Sequence, residues 1–444
     1  MKRPARLLAL AGAIRLAAWL AIPDTRFASD EDSYYVIAGA LLEGRHDVFW
    51  PPVTGWLIAL IRALVPGHEL SIVRLVWAAM DVCCVAMVAV LSSRFAETIF
   101  PESEAARARL TWLATLGYAV YVPAISHSQF ATSETPSLLQ LLAVMVLLTR
   151  GPLSIGRMIV AGFVTGTLVL TRPNLLPLVI TLPAAILWSR RFGANLRGVV
   201  AYATVVAMIL GAQVYRTYLL SGEATLSTNS AYNLYIGNRD LYAEDLNLFR
   251  PAATPAQIEF RRQQFAGTLV YPSEAPSELQ RQATQWIIGH PAEFARRALG
   301  RLARLFAPKT DALELIGGQQ ARSVFSPPSL LLLGIVNAQW ILILACGFTG
   351  LLWLRHRDPG SSAVLGSVIA GAVPLCLIAI SKPRYSFVFD PILLMAAVPV
   401  LMHPKGVWSA LASSDRWILL VAGLFLAWAW VAWAIFAVTS RAAM

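Results

Sequence analysis

The chain has 444 residues, of which 57% are hydrophobic and only 14% are charged, and its formal net charge is +11. In soluble domains about a quarter of all residues are charged, so this composition excludes an ordinary soluble protein and indicates an integral membrane protein. The Lys and Arg residues lie mostly between hydrophobic segments, where they act as topology signals, and we therefore expect no nucleic-acid partner.

Hydrophobic runs of the length needed to cross a bilayer recur along the whole chain. They predict an all-α, polytopic membrane protein with about eleven transmembrane helices. The runs lie near residues 5–22, 71–95, 110–126, 131–149, 157–171, 173–189, 198–220, 329–354, 361–380, 386–402 and 417–438. If the N-terminal "MKRPAR" is cytoplasmic, every inner loop carries Arg or Lys, which satisfies the positive-inside rule. The alternative for the first run is a cleaved signal peptide, although no small-residue cleavage site follows it.

Two of the charged residues inside predicted spans have opposite charges and lie at similar depth. Arg15 lies roughly 12 Å from the cytoplasmic face in the first span, and Asp81 lies roughly 14 Å from that face in the antiparallel second span. Charges inside membranes are usually paired, because losing one partner leaves the other buried and unpaired. We therefore predict a structural salt bridge between Arg15 and Asp81.

The first outer loop, residues 23–70, begins with three consecutive acids: Asp30, Glu31 and Asp32. A helix start explains one or two of them, because acids in the first turn satisfy free amides and the positive helix end. Three adjacent like charges raise the pKa of at least one carboxyl, so a second explanation is a catalytic carboxylate. The acids are followed by "YYVIAGALL", whose apolar stripe predicts a short interfacial helix, and by "FWPPVTGWLIAL", which predicts a second one after the Pro-Pro break.

The second outer segment, residues 221–328, contains "STNSAYNLYIGNRDLYAEDLNLFRP" and then the helical pattern "SELQRQATQWIIGHPAEFARRALGRLARLF". Apolar residues recur at helical spacing in the latter, and four arginines can lie towards another face: Arg296, Arg297, Arg301 and Arg304. Such a basic amphipathic helix favours a membrane surface or an anionic headgroup, and the alternative is a plain solvated face.

Five further polar residues lie at the outer ends of predicted spans: Glu134 in "SETP", Arg172 in "TRPN", and Lys382, Arg384 and Tyr385 in "SKPRY". The alternatives are that Glu134 only caps a helix and that the cations only anchor loops at lipid headgroups.

The histidines are scattered along the chain, without the spacing of a zinc-binding helix, so we predict no structural metal. His290 is kept as a candidate for substrate binding, although its place before Pro291 fits a helix start better. The four cysteines all lie in apolar runs and are expected to be small buried residues rather than disulfide partners: Cys83, Cys84, Cys346 and Cys376.

The order of these features resembles the C-type membrane glycosyltransferases, in the bacterial branch related to the protein O-mannosyltransferases and the lipid A aminoarabinose transferase. The stretch "HSQFATSETPSLLQLLAVMVLL" looks like that family's fourth span, and "GTLVLTRPNLLPL" looks like its fifth-to-sixth hairpin, turning at Arg172 and Pro173. "WIIGHPAEFARRALGRLARLF" is similar to the helix entering the later spans, and "SKPRYSFVFDPILL" to an outer Arg-Tyr motif. The resemblance implies a transmembrane module at 1–220 with a catalytic loop at 23–70, an outer segment at 221–328 and C-terminal spans at 329–444.

The resemblance also implies a reaction. A sugar would pass from a polyprenyl-phosphate carrier to a lipid, glycan or protein acceptor on the periplasmic side by one inverting displacement, with a loop carboxylate as general base. Counting back four residues from the first tyrosine of the stripe selects Asp30 or Glu31, depending on which tyrosine is used. The leaving phosphate needs fixed cations, for which Arg172, Lys382 and Arg384 are available. No organic cofactor is implied, and a divalent cation held by the acids and a phosphate is one option.

Two other functions stay open on the sequence alone. A transporter or lipid flippase would use intramembrane charges along its substrate path, although the spans show no obvious paired halves. A surface-polysaccharide polymerase or ligase would share the lipid-linked donor but join longer chains.

Overall fold

The computed structural model describes residues 2–22, 30–66, 69–149, 153–189, 196–238, 274–313 and 327–442, together with 248, 252, 254, 255, 258 and 259. The secondary structure of these residues is helical throughout, which confirms the all-α class. The α-helices are α1 (Lys2–Ala21), α2 (Asp30–Leu42), α3 (Pro52–Leu64), α4 (Glu69–Ile99), α5 (Glu104–Ala119), α6 (Val122–His127), α7 (Glu134–Leu148), α8 (Ile155–Thr171), α9 (Leu178–Ser189), α10 (Leu196–Ser221), α11 (Asn229–Gly237), α12 (Pro276–Gly289), α13 (Pro291–Leu305), α14 (Pro327–Arg357), α15 (Pro359–Ile378), α16 (Asp390–Met402), α17 (Pro404–Ala410) and α18 (Ser413–Ala442). Short 3-10 helices lie at Pro173–Leu175, Asp311–Leu313 and Pro383–Phe389.

Six helical segments are long and apolar enough to cross a membrane, which makes this a multi-pass membrane protein. They are Leu70–Ile99, Leu196–Ser221, Pro327–Arg357, Pro359–Ile378, Pro383–Met402 and Ser413–Thr439. Every hydrophobic run predicted from the sequence falls on helix, and the number that crosses the bilayer stays a prediction. One predicted span, 110–126, is interrupted between α5 and α6, because Pro123 cannot continue a helix and starts a new one.

Helix α14 packs closely against α16, and this is the most extensive contact between two helices among the described residues. A Cβ at Gly347 would lie 2.7 Å from the carbonyl oxygen of Leu393, and one at Gly350 would overlap the carbonyl of Ala396. Small residues of this kind let the backbones of two membrane helices approach, so that van der Waals contact can hold them together.

The predicted intramembrane salt bridge is present. Nε of Arg15 donates to Oδ2 of Asp81 at 2.8 Å, and both residues are almost fully buried. The other carboxylate oxygen accepts from the hydroxyl of Tyr118 at 2.7 Å, and Arg15 also donates to the carbonyl of Ala119. The pair thus joins α1, α4 and α5, as a structural ion pair in a membrane should.

The two short helices predicted in the first outer loop are α2 and α3, each of 13 residues. They pack face to face at Gly55, where a Cβ would come within 2.9 Å of the Ile37 side chain. The predicted apolar stripe is confirmed, because Tyr34 and Ile37 are buried. The acid triplet forms the first turn of α2, and this fixes the direction in which its carboxylates leave the helix.

The predicted basic amphipathic helix is two helices, α12 and α13. They separate at His290 because a residue before proline is excluded from the helical conformation, and His290 becomes the N-cap residue of α13. The helix start expected at this position is therefore confirmed.

The arginines of α13 do not form one exposed basic face. Arg301 is 1% exposed and Arg304 is 7% exposed, so the prediction of a membrane-surface or solvated face is wrong for these two. Arg301 donates to the carbonyls of Leu377 and Ile378 at 2.9 and 3.0 Å and to the carbonyl of Gly237. A guanidinium satisfies free carbonyls and opposes the negative end of a helix dipole, so Arg301 holds the C-termini of α11 and α15 together.

The cysteines divide between the interior and the surface of the bundle. Cys84 and Cys376 are buried as expected, Cys346 is half-buried, and Cys83 is exposed, which corrects the expectation for the last. Adjacent helix positions face different directions, so Cys83 and Cys84 cannot share one environment. All four thiols are free.

Candidate active site

Asp30 and Arg384 meet at an open edge between α2 and the Pro383–Phe389 helix. Nη2 of Arg384 donates to Oδ2 of Asp30 at 2.5 Å across 354 sequence positions. The side chain of Asp30 is 30% exposed and that of Arg384 is 16% exposed. The carboxylate is therefore fixed by a cation and still open to an incoming group.

Glu134 extends this pair into the protein. It is the first residue of α7, and its Oε1 lies 3.0 Å from Nη1 of Arg172 and 3.6 Å from Nε of Arg384. The N-cap residue Ser133 makes no side-chain capping bond, and Glu134 turns towards the two arginines. Arg172 reaches it because α8 ends at the Arg172–Pro173 turn predicted from the sequence.

We call these four residues the arginine cluster: Asp30, Glu134, Arg172 and Arg384. Tyr385 adjoins it, with the Arg172 guanidinium 5.2 Å from the ring centroid, and Lys382 stands at the N-cap of the same short helix. Within the arginine cluster the charges of the two carboxylates balance those of the two guanidiniums. Lys382 therefore makes the surroundings of the cluster electropositive. Nε of Arg384 and Oε2 of Glu134 are buried and make no hydrogen bond within the described chain. The unpaired N–H of Arg384 is suited to an anionic ligand, whereas the unpaired carboxylate oxygen is suited to a hydroxyl donor.

The other acids of the triplet are placed differently. Glu31 is fully buried, where its carboxylate binds Nη2 of Arg74 at 2.9 Å and accepts from the amide of Ala131 at 2.9 Å. Asp32 is half-buried in the same turn. The contact from the triplet to Arg384 comes from Asp30, which separates two alternatives that the sequence leaves equal.

Tyr34 lies against the cluster and was not among the residues singled out for chemistry. Burial and then the nearby carboxylate of Asp30 raise the pKa of the Tyr34 hydroxyl, which hydrogen-bonds Ser133. The tyrosine is therefore a neutral hydroxyl beside a charged carboxylate. Its position in the apolar stripe predicts a packing role, and the sequence alone gives no sign that its hydroxyl lies beside Asp30.

His290 does not join these residues through its described contacts. Its Nδ1 lies 3.0 Å from the carbonyl oxygen of Trp286, and its ring stacks on the Trp286 ring with centroids 5.0 Å apart. Its geometry fits the junction of α12 and α13 rather than substrate binding.

A second set of polar residues lies behind the arginine cluster. Nζ of Lys309 donates to Oδ2 of Asp390 at 2.5 Å, and the hydroxyl of Tyr121 donates to the same oxygen at 2.8 Å. Asp390 directly follows the short helix that carries Arg384, so this bond holds the base of that helix. The signal for it was an acid within the apolar run "SFVFDPILL", since charges in predicted spans are usually paired.

His127 lies between the two sets of residues. It is 4% exposed, and its ring centroid lies 4.5 Å from that of Phe387. Burial lowers the pKa of His127 to about 4, against the opposing effect of Glu134, so the imidazole is neutral at physiological pH. The sequence was searched for pairs of histidines at metal-binding spacing, and His127 belongs to no such pair, so its place beside the cluster was missed. Within the described ranges no three His, Cys, Asp or Glu side chains are arranged to hold a metal ion.

No family model matches the chain, and no curated protein matches it. Solved structures match it with low identity, among them an ArnT and an oligosaccharyltransferase. ArnT from Cupriavidus metallidurans, bound to undecaprenyl phosphate, has a TM-score of 0.38 and 14% identity over 88% of this chain and 77% of its own. An oligosaccharyltransferase from Archaeoglobus fulgidus, in complex with zinc and sulfate, has a TM-score of 0.43 and 13% identity over 98% of this chain and 53% of its own. With both TM-scores below 0.5, neither likeness carries an argument about function, which rests on this chain's own residues.

Proposed function

We propose that this protein is a membrane glycosyltransferase that moves a sugar from a polyprenyl-phosphate carrier to an acceptor hydroxyl on the periplasmic side of a bacterial inner membrane. The observation that carries the proposal is the pairing of the part-exposed Asp30 with Arg384, backed by Glu134 and Arg172. A carboxylate beside fixed cations supplies the two groups that such a transfer requires, a base for the acceptor and positive charge for the leaving phosphate.

The proposed reaction is a single displacement. Asp30 takes the proton of the acceptor hydroxyl, whose oxygen forms a bond to the anomeric carbon. The bond from that carbon to the phosphate oxygen breaks at the same time, and its electron pair leaves with the phosphate.

Arg384 has two tasks in this scheme. Before the donor arrives, its bond to Asp30 holds the carboxylate in one orientation. When a phosphate binds, the guanidinium can turn a second pair of N–H groups towards it, since arginine presents several donors in a planar fork. Arg172 and Lys382 add positive charge beside it, and Glu134 holds the two arginines in position.

The test begins with transfer from undecaprenyl-phosphate sugars to a cell-envelope extract by the detergent-purified protein, followed by mass spectrometry. Asp30→Asn should lose roughly a hundredfold or more in rate, because an amide keeps the shape of the carboxyl but is not a useful base. Asp32→Asn, in the same turn, is the matched control and should lose little. A near wild-type rate for Asp30→Asn would contradict the assignment of the base.

The same assay separates the alternative functions. A transporter or flippase would move the lipid without forming a glycosidic bond, so wild-type protein would give no product. A surface-polysaccharide polymerase or ligase would give products longer by more than one sugar.

A further inference from the structure

The end of α6 and the residues directly after it are polar and almost completely enclosed. Ser126, His127, Ser128 and Gln129 are all at most 4% exposed, although none belongs to an ordinary apolar core. Burying polar side chains in a membrane protein costs free energy unless each has a partner. This cost indicates that the segment borders a polar interior rather than filling a gap in packing.

His127 is the point at which three elements meet. Its carbonyl accepts from the hydroxyl of Thr135, the residue after Glu134, at 3.0 Å. Its ring lies on Phe387, three residues after Arg384. The hydroxyl of the preceding residue, Ser126, lies 3.5 Å from the carbonyl oxygen of Asp311. His127 is thus tied to both halves of the arginine cluster and to the Asp311–Leu313 helix.

Several buried polar atoms in this region have no hydrogen-bond partner among the described residues, and two of them belong to residues at the contact between α6 and the Asp311–Leu313 helix: Nε2 of His127 and Oδ2 of Asp311. A buried polar atom left without a partner lowers the stability of the fold, so a native protein keeps such atoms for a reason. Two other unpartnered atoms, Oε2 of Glu134 and Oδ1 of Asp390, belong to carboxylates that are already paired with cations. His127 and Asp311 have no ion-pair partner among the described contacts, which leaves their two atoms available to a ligand.

The chemistry of the two atoms selects the kind of ligand. A neutral imidazole nitrogen and a carboxylate oxygen bind hydroxyl groups, the first as donor or acceptor and the second as acceptor. A phosphate would be repelled by Asp311, and the cations that a phosphate needs lie in the arginine cluster. A neutral, hydroxyl-rich group attached to a phosphate satisfies both regions at once.

We propose that His127 and Asp311 form a hydroxyl-binding subsite that recognises the sugar of the lipid-linked donor while the arginine cluster holds its phosphate. This inference rests on the proposed function and deepens it, because it gives the sugar specificity to residues other than the base and the phosphate cations.

The test is equilibrium binding to the detergent-purified full-length protein without acceptor, so that only the donor is sensed. The probes are undecaprenyl phosphate and a panel of undecaprenyl phosphates carrying different hexoses and pentoses. Wild-type protein should bind at least one sugar-bearing lipid about tenfold more tightly than undecaprenyl phosphate. In His127→Asn and Asp311→Asn this preference should fall to within about threefold, while the affinity for undecaprenyl phosphate stays unchanged.

His127→Gln is the conservative variant, because its longer amide reaches the position of Nε2, and it should keep most of the preference. His403→Asn makes the same change at an exposed histidine that ends α16 and should behave as wild type. A full sugar preference in both Asn variants would overturn the subsite, as would an equal loss of affinity for all lipids, which marks a structural role. Wild-type protein that binds all these lipids equally would overturn the subsite alone. Wild-type protein that binds none of them would overturn the proposed function and the subsite with it.

Discussion

Glu31 and Asp30 are adjacent in sequence, yet one is enclosed beside Arg74 and the other faces an open edge of the site. Their difference comes from the helix: successive residues of α2 point about 100° apart, so only one can lie against Arg384. The sequence shows that the acids are unusual but not which way each one points. That information depends on α4, which supplies Arg74, and on the turn before α7, which supplies the amide of Ala131.

Glu31→Gln should therefore act on stability more than on chemistry. It leaves the Arg74 guanidinium buried without its counter-charge, which typically costs about 3–5 kcal/mol. We expect a clearly lower unfolding temperature in detergent, with the rate per folded molecule falling far less than in Asp30→Asn. The double variant Glu31→Leu with Arg74→Met replaces the pair by apolar groups and should regain much of the stability. A stable Glu31→Gln protein that has lost a hundredfold in rate would instead make Glu31 the base.

Arg384 gives the second prediction at this scale. Arg384→Lys keeps the charge but loses the planar fork that can bind a carboxylate and a phosphate together. We expect the transfer rate to fall by at least tenfold, with weaker binding of undecaprenyl phosphate. Lys382→Arg, two residues earlier, is the control and should retain activity. Unchanged donor binding in Arg384→Ala would move the phosphate to Arg172 and Lys382.

At the scale of elements, the spans were predictable because apolar runs of sufficient length are a strong signal, and each one falls on helix. The division of 276–305 at His290 was also visible in the sequence, as a proline after an apolar stretch. The burial of Arg301 and Arg304 in α13 was not visible in the sequence. Periodicity shows that one face of the helix is basic, but it does not show whether backbone carbonyl groups lie against that face. Two of those carbonyls, at Leu377 and Ile378, come from a span more than seventy positions away.

The contact between α14 and α16 gives a prediction for a helix pair. Gly350→Ala should lower the unfolding temperature and the yield of folded protein, because the added methyl group meets the backbone carbonyl of Ala396, which cannot move without shifting the helix. Gly334→Ala is a matched change in the same helix, where a Cβ meets nothing within 4 Å. It should be neutral or slightly stabilising, since alanine favours helix over glycine. Equal behaviour of the two variants would contradict close packing at Gly350.

At the scale of the whole molecule, the sequence predicts the sidedness from charge alone: loops with Arg and Lys inside, the acid triplet and "SKPRY" outside. The structure adds that Asp30, Glu134, Arg172 and Arg384 come together, as outer ends of different helices should if that topology is right. The resemblance predicted these residues individually. Their mutual contacts and the polar region around His127 depend on how the helices pack, which no single segment encodes.

This topology predicts the labelling of introduced cysteines in a variant without the four native ones. Glu43→Cys, at a side chain that is 63% exposed after α2, should react with a membrane-impermeant maleimide in spheroplasts. Ser409→Cys, exposed in α17 between the basic residues Lys405 and Arg416, should react only after permeabilisation. The reverse pattern would place the arginine cluster in the cytoplasm and exclude a periplasmic reaction.

The bond between Asp30 and Arg384 joins positions 354 residues apart, and this has a consequence for biogenesis. At a synthesis rate of about 5–20 residues per second, Arg384 leaves the ribosome about 20–70 seconds after Asp30. Throughout that interval the nascent chain already exposes its acidic turn at the membrane, but it lacks the arginine that orients the carboxylate. Under the proposed function, a partly made or truncated chain is therefore inactive towards lipid-linked sugars, and quality control can remove it before it consumes any carrier.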